Sequence, residues 1–176
     1  MKDIHKKLES LTNVAIIVIA ILFGTVLVSK YVLSDHAAAT PKLNGIAANK
    51  KFNLREIDWS KSEKNLVVAF STNCRFCIES TAFYEQMANR KAERSKVRLI
   101  VVSPQPVDEV QRFFRERRIT IDEFVQAPLS DISVNGTPTL VLVDREGLVK
   151  DSWVGKLPPD VEKALLSKLF DDQGWS

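Results

Sequence analysis

Three short runs constrain this chain more than anything else in it: NLVVAFST (Asn65–Thr72), KVRLIVVS (Lys96–Ser103) and PTLVLVD (Pro138–Asp144). Each is rich in β-branched residues and almost continuously apolar, the pattern of strands covered on both faces. Strands of that kind need layers packed against them, and the intervening sequence supplies amphipathic helices. Phe83, Tyr84 and Met87 recur at helical spacing after the first run, and Val107, Val110, Phe113 and Phe114 after the second. Val161, Leu165, Leu166, Leu169 and Phe170 form a stripe behind PPD, where Asp160 is placed to cap a last helix. DREG (Asp144–Gly147) reads as the tight turn of a hairpin between TLVLVD and LVKDSWVG. With a short strand near Phe124–Gln126, the pattern predicts an α/β fold: a central mixed sheet with helices on both faces. Arg112, Arg115, Arg117 and Arg118 read as a solvated helix face.

The 176 residues suffice for one good-sized core with appendages. A formal charge of +3, with acids and bases interspersed, gives no field for nucleic acid, which is not an expected partner. From Leu11 to Val28 there is no charged residue, and with SKYVL behind it the apolar segment reaches Leu33. That length crosses about 30 Å of hydrocarbon as a helix. The expected organisation is a cytoplasmic tail (1–13), a transmembrane anchor (14–33) in contact with the lipid bilayer, a linker (34–50) and a folded domain (51–172). Lys2, Lys6 and Lys7 outnumber Asp3 and Glu9 in the tail, which keeps the N-terminus in the cytoplasm. The domain is then extracytoplasmic, or periplasmic, on a single-pass plasma (inner) membrane protein. Ala37–Ala39 are small residues of the kind a signal peptidase accepts, but the length of the apolar run, with Lys30 and Asp35 behind it, favours an uncleaved anchor.

The only two cysteines, Cys74 and Cys77, lie in STNCRFCIES (Ser71–Ser80) with C-x-x-C spacing. Structural zinc wants four ligands, and both histidines, His5 and His36, precede the domain, so no metal is expected. Ile78 after Cys77 rules out the haem-attachment motif. An inert disulfide is the competing reading, since exported thiols oxidise, yet so short a loop makes a poor staple. Placement favours redox chemistry. Cys74 follows a buried strand and opens a helix, where free N–H groups favour a thiolate, and Cys77 one turn on can attack a mixed disulfide formed at Cys74. Arg75 adds a positive charge beside Cys74, or is simply solvated.

A C-x-x-C after a strand, followed about sixty residues later by VNGTPTLVLVDREGLV, resembles the thioredoxin superfamily. Within it, the resemblance is to membrane-anchored TlpA-like thiol-disulfide oxidoreductases, over about Phe52–Phe170. It implies a thioredoxin-like fold and a redox-active disulfide Cys74–Cys77 with no other cofactor. It also implies a cis bond at Thr137–Pro138 beside that pair, where the Thr137 backbone is free to pair with an extended substrate segment. A strand-starting proline without a role is the alternative for Pro138. The implied partners are proteins with disulfides or thiols and a membrane thiol electron donor, in tasks such as cytochrome c maturation. Three residues depart from the family pattern. Asn73 stands where Trp is usual, Phe76 where Pro is common between the cysteines, and Val68 where a buried Asp handles the proton of the second thiol. Glu79 is a candidate substitute for that acid, against its reading as an ordinary exposed helix residue. Ser71 echoes the Thr-x-x-Cys of peroxiredoxins, which keeps peroxide reduction open, although Val67 stands where that motif has Pro. A non-enzymatic tethered binding module with an idle disulfide is the remaining alternative.

Overall fold

A computed structural model of the chain describes residues 46–54, 57–93 and 96–171. The expected tail, anchor and most of the linker lie outside the described residues, as do His36 and Ala37–Ala39. Among the described residues no helix is long and apolar enough to cross a membrane.

Five strands form one sheet: β1 (Lys64–Ala69), β2 (Val97–Ser103), β3 (Glu123–Gln126), β4 (Thr139–Asp144) and β5 (Val149–Val154), in the order β3-β2-β1-β4-β5. β1 is central, parallel to β2 and antiparallel to β4, while β2–β3 is parallel and β4–β5 antiparallel. The helices are α1 (Arg75–Glu79), α2 (Thr81–Glu93), α3 (Val107–Glu116) and α4 (Pro159–Phe170). The stretch expected as one helix after the cysteines is interrupted at Ser80, whose N–H turns back to the Phe76 carbonyl at 3.1 Å.

Every residue of β1, β2 and β4 is buried, as their apolar runs require, and the period of two divides them between two cores. Leu66, Val68, Leu99, Val101, Leu140 and Leu142 face α1, α2, α3 and α4, whose buried residues all join that cluster. Val67, Ala69, Ile100, Val102, Val141 and Val143 face the other way, onto Phe52, Ile57, Ile132 and Val134. The expectation of helices on both faces is therefore corrected: the four helices share one face. The other carries residues 46–54 and 57–59 and one turn of 3-10 helix, Leu129–Ile132. The handedness of parallel crossovers explains this. The chain steps from β1 to β2 to β3 in one direction, so two successive right-handed crossovers lay their helices on the same side.

Local chemistry fixes the ends. Pro159 occupies the first position of α4, where its missing N–H costs nothing, and Asp160 lies in the first turn rather than capping it. Lys64, buried at the start of β1, donates from Nζ to the carbonyls of Lys168 and Leu169 at 2.9 and 3.0 Å, tying the centre of the sheet to the end of α4. In the β4–β5 turn, Asp144 Oδ1 accepts from the N–H groups of Glu146 and Leu148 at 3.0 and 2.8 Å. Gly147 adopts φ +81°, and an added Cβ there would meet Trp59 Cδ1 at 2.9 Å. Residues within the expected linker run along β5: Asn49 N–H donates to Val149 O (2.7 Å), and Ser152 Oγ donates to Ile46 O (3.0 Å). They cover an edge that would otherwise be open to another strand.

Candidate active site

The site grows out of the end of β1. Phe70 continues its line, bonding Val102 O at 2.9 Å, and is fully buried against Phe113 and Phe114, each ring 4.9 Å away. Burying a side chain of this size stabilises by roughly 1.5–3 kcal/mol, which pins the strand end from which the cysteine loop departs. Ser71 to Asn73 make the turn, and Cys74 N–H donates to Ser71 O at 3.2 Å. Cys74 takes the N-cap position of α1, with φ −90° and ψ 116°, and its Sγ accepts the Cys77 N–H at 3.3 Å. Both thiols are free; Cys74 is half-buried and Cys77 fully buried.

Strand register supplies the next neighbour. Ala69 in β1 pairs with Thr139 in β4, so the residues just before Thr139 come alongside the cysteine loop. Thr137–Pro138 is a cis peptide bond, and Cys74 Sγ lies 3.1 Å from the Thr137 carbonyl oxygen, to which the thiol donates. Pro138 is buried and Thr137 half-buried. Around them, Gly155 N–H donates to Pro138 O at 2.7 Å and Thr139 Oγ1 to Gly136 O at 2.7 Å.

The two thiols differ in acidity because they differ in surroundings. Partial burial would push Cys74 up, but hydrogen bonding from the Thr137 side chain, from Cys77 and from the Phe76 backbone outweighs it and holds this thiol below its ordinary value. Cys77 is pushed up to about 12, first by burial and then by the neighbouring Cys74 sulfur. One sulfur is thus the more acidic and the more accessible, and the other is kept as a buried thiol.

The remaining predicted positions surround the pair differently. The Arg75 side chain is 86% exposed and its Nε bonds Glu79 Oε1 at 2.7 Å, so the guanidinium is directed at a carboxylate rather than at the sulfur. Glu79 also receives Lys156 Nζ at 3.1 Å, and the hydrogen bonds from Arg75 and Lys156 hold its carboxyl below the usual range. An acid engaged in this way is a poor proton acceptor for Cys77. Phe76 is 53% exposed and Ile78 44%, the large apolar side chains that the described surface leaves open. Val68 is buried in the same cluster as Cys77. Among the described residues no group of three or more His, Cys, Asp or Glu could hold a metal ion.

A polar cluster that the sequence reading missed clamps the cysteine loop. Thr72 N–H donates to Gln105 Oε1 at 2.8 Å, while the Thr72 hydroxyl and Gln105 Nε2 both donate to Glu109 Oε1, at 2.5 and 2.8 Å. Gln105 Nε2 also approaches the Thr72 hydroxyl. The signal that could have found this cluster is positional. Both loops leave the C-terminal ends of adjacent parallel strands, β1 and β2, so their polar residues must meet.

The chain matches the model of the thioredoxin-like domain over residues 52–170. No curated protein matches it in sequence. Among solved structures, it is similar to a thiol-disulfide isomerase from Corynebacterium glutamicum, with 18% identity, 77% of this chain and 99% of that one covered, and a TM-score of 0.53. The thioredoxin domain of a thiol-disulfide oxidoreductase from Bacteroides vulgatus gives 17% identity, 72% and 99% coverage and a TM-score of 0.56. StoA from Bacillus subtilis gives 14%, 72% and 98%, and 0.51. At these identities the structures speak for the fold alone, and the family match covers most of the chain, from the first buried residue among those described, Phe52, to the last, Phe170. A C-x-x-C that leaves a central strand, set against a cis-proline on the adjacent antiparallel strand, therefore belongs to a member of the thioredoxin-like family.

Proposed function

We propose that this protein is a thiol-disulfide oxidoreductase that works through the Cys74–Cys77 couple, as a membrane-anchored, extracytoplasmic reductase of disulfides in exported proteins. The observation that carries this reading is the contrast between the two sulfurs. Cys74 is accessible, is held below its ordinary pKa and lies 3.1 Å from the Thr137 carbonyl, whereas Cys77 is buried and raised to about 12. The Cys74 thiolate attacks a substrate disulfide and forms a mixed disulfide. Cys77 then displaces the substrate thiolate, leaving the pair oxidised. An extended substrate segment pairs with the backbone at Thr137. Anchoring rests on the apolar run up to Leu33, and the orientation on Lys2, Lys6 and Lys7. A membrane dithiol protein is the electron donor this location requires, and cytochrome c maturation is one task for such a reductase.

The test is a pair of substitutions and a potential. Cys74→Ser abolishes turnover of a protein disulfide, and Cys77→Ser accumulates a mixed disulfide visible as a reducible adduct. A reduction potential nearer thioredoxin's value of about −270 mV than the roughly −120 mV of a dedicated oxidant supports the reductase direction. Retention of function by Cys74→Ser would leave the binding-module reading in its place. Protease digestion of intact cells or spheroplasts reports the side on which the domain lies.

A further inference from the structure

Cys74 hangs from the sheet by three residues. The line of β1 ends at Phe70, Ser71 to Asn73 turn, and the Cys74 sulfur then lies 3.1 Å from Thr137, on the approach to β4. That contact crosses from one strand end to another, so the sulfur makes it only while the turn keeps one shape. Two bonds lie inside the turn, Cys74 N–H to Ser71 O at 3.2 Å and Asn73 N–H to Ser71 Oγ at 3.3 Å, and neither ties it to the rest of the fold.

Thr72 supplies that tie. Its N–H donates to Gln105 Oε1 at 2.8 Å and its hydroxyl to Glu109 Oε1 at 2.5 Å, so the backbone and the side chain of one residue are both bound to the segment that follows β2. That segment is itself constrained. Gln105 lies between Pro104 and Pro106, whose rings fix the backbone on either side, and its N–H bonds the hydroxyl of the buried Ser103 at 3.2 Å. Gln105 Nε2 reaches the same Glu109 oxygen at 2.8 Å. Glu109 stands in the first turn of α3, where free N–H groups favour its carboxylate. The other charges near it on that helix, Asp108 and Arg112, are exposed and face each other at 3.9 Å. Hydrogen bonds to an anionic oxygen are roughly twice as strong as those between neutral groups, so the Glu109 end of the tie is the firm one.

We propose that Glu109 and Gln105 are positioning residues for the nucleophile: by binding Thr72 from the β2–α3 segment they set the Cys74 sulfur against Thr137 and so govern its reactivity. The inference rests on the exchange reading above, in which Cys74 is the attacking sulfur. Its sign separates it from a bare charge effect. If Glu109 acted only through its charge, removing the carboxylate would make a nearby thiol easier to ionise and would speed its reaction. Loss of the tie does the opposite, because a sulfur that drifts from Thr137 loses hydrogen bonding that holds it below its ordinary value.

The reduced full-length protein, in detergent, is alkylated with iodoacetamide over a range of pH, and the adduct at Cys74 is followed by mass. Thr72→Val removes the hydroxyl and leaves every charge in place, whereas Glu109→Leu removes the acceptor together with its charge. In both variants alkylation near neutral pH slows by about threefold or more, the factor of a weakened hydrogen bond, and the midpoint of the pH profile moves up. Glu109→Gln keeps a carbonyl oxygen for both donors and returns the rate to within about twofold of wild type. Gly147→Ala, in the β4–β5 turn at the opposite end of the sheet, loses stability and keeps the wild-type profile, which separates position from stability. Wild-type midpoints in Thr72→Val and Glu109→Leu overturn the proposal and leave the exchange reading intact, as does a midpoint that falls in Glu109→Leu. A midpoint in the folded wild type no lower than that of the same protein in denaturant overturns the exchange reading itself.

Discussion

The burial of Cys77 makes a thermodynamic statement that can be checked without any substrate. Its thiol, ordinarily near 9.0, is pushed up to about 12 in the folded protein. Below pH 9 both the folded and the unfolded chain hold this proton, and the stabilisation from keeping a neutral thiol in an apolar site is fully present. Between pH 9 and 12 the unfolded chain releases the proton while the folded one keeps it, so stability falls as pH rises, by about 1.4 kcal/mol per unit. Across the three units the loss approaches about 4 kcal/mol, a large part of the 5–15 kcal/mol typical of a domain. Denaturant unfolding of reduced wild type and of Cys77→Ala, followed by tryptophan fluorescence from pH 8 to 11, isolates the contribution. Cys77→Ala is the less stable protein at pH 8 because it loses packing, and its deficit shrinks steadily above pH 9 because it has no thiol to ionise. A deficit that stays constant over the whole range would refute the assignment of a burial-raised thiol to Cys77.

Three further outcomes follow from geometry elsewhere. Glu109→Ala leaves the Thr72 hydroxyl and the Gln105 amide without their shared acceptor, at a cost of about 1–3 kcal/mol in denaturant unfolding, with faster hydrogen exchange in the Ser71–Asn73 turn. Arg75→Ala changes the rate of Cys74 alkylation by less than about twofold, because the guanidinium is exposed and paired with Glu79. Gly147→Ala combines a left-handed backbone with a contact against the Trp59 ring and lowers stability by about 1–3 kcal/mol, seen as a lower thermal midpoint.

The strands were legible because β1, β2 and β4 are buried on both faces, and a residue string with that fate has to be apolar along its middle, with polar residues kept near its ends. Cys74, Cys77, Thr137 and Pro138 came together because one register, Ala69 opposite Thr139, carries both motifs to the same end of adjacent strands. The layer to which a helix belongs was not legible. Val110 and Phe114 declare a buried face, but the side of the sheet depends on the direction in which the chain steps between strands. Arg75 shows a second limit. Its adjacency to Cys74 in sequence does not say where the guanidinium goes, and an acid one helical turn later, Glu79, holds it.

The hydrogen bond between Cys74 and Thr137 spans 63 residues of chain. Both cysteines are therefore synthesised, and can already lie at the end of a β1–β2 pair, well before the segment that completes their surroundings exists. Closing so long a span waits on the pairing of β1 with β4, a non-local event of the kind that sets the pace of folding. Until then the two sulfurs lack the Thr137 neighbour and the full burial that raises Cys77 above Cys74. The difference between the two sulfurs is thus acquired only when β4 pairs with β1, and an unfinished molecule carries two thiols of similar acidity.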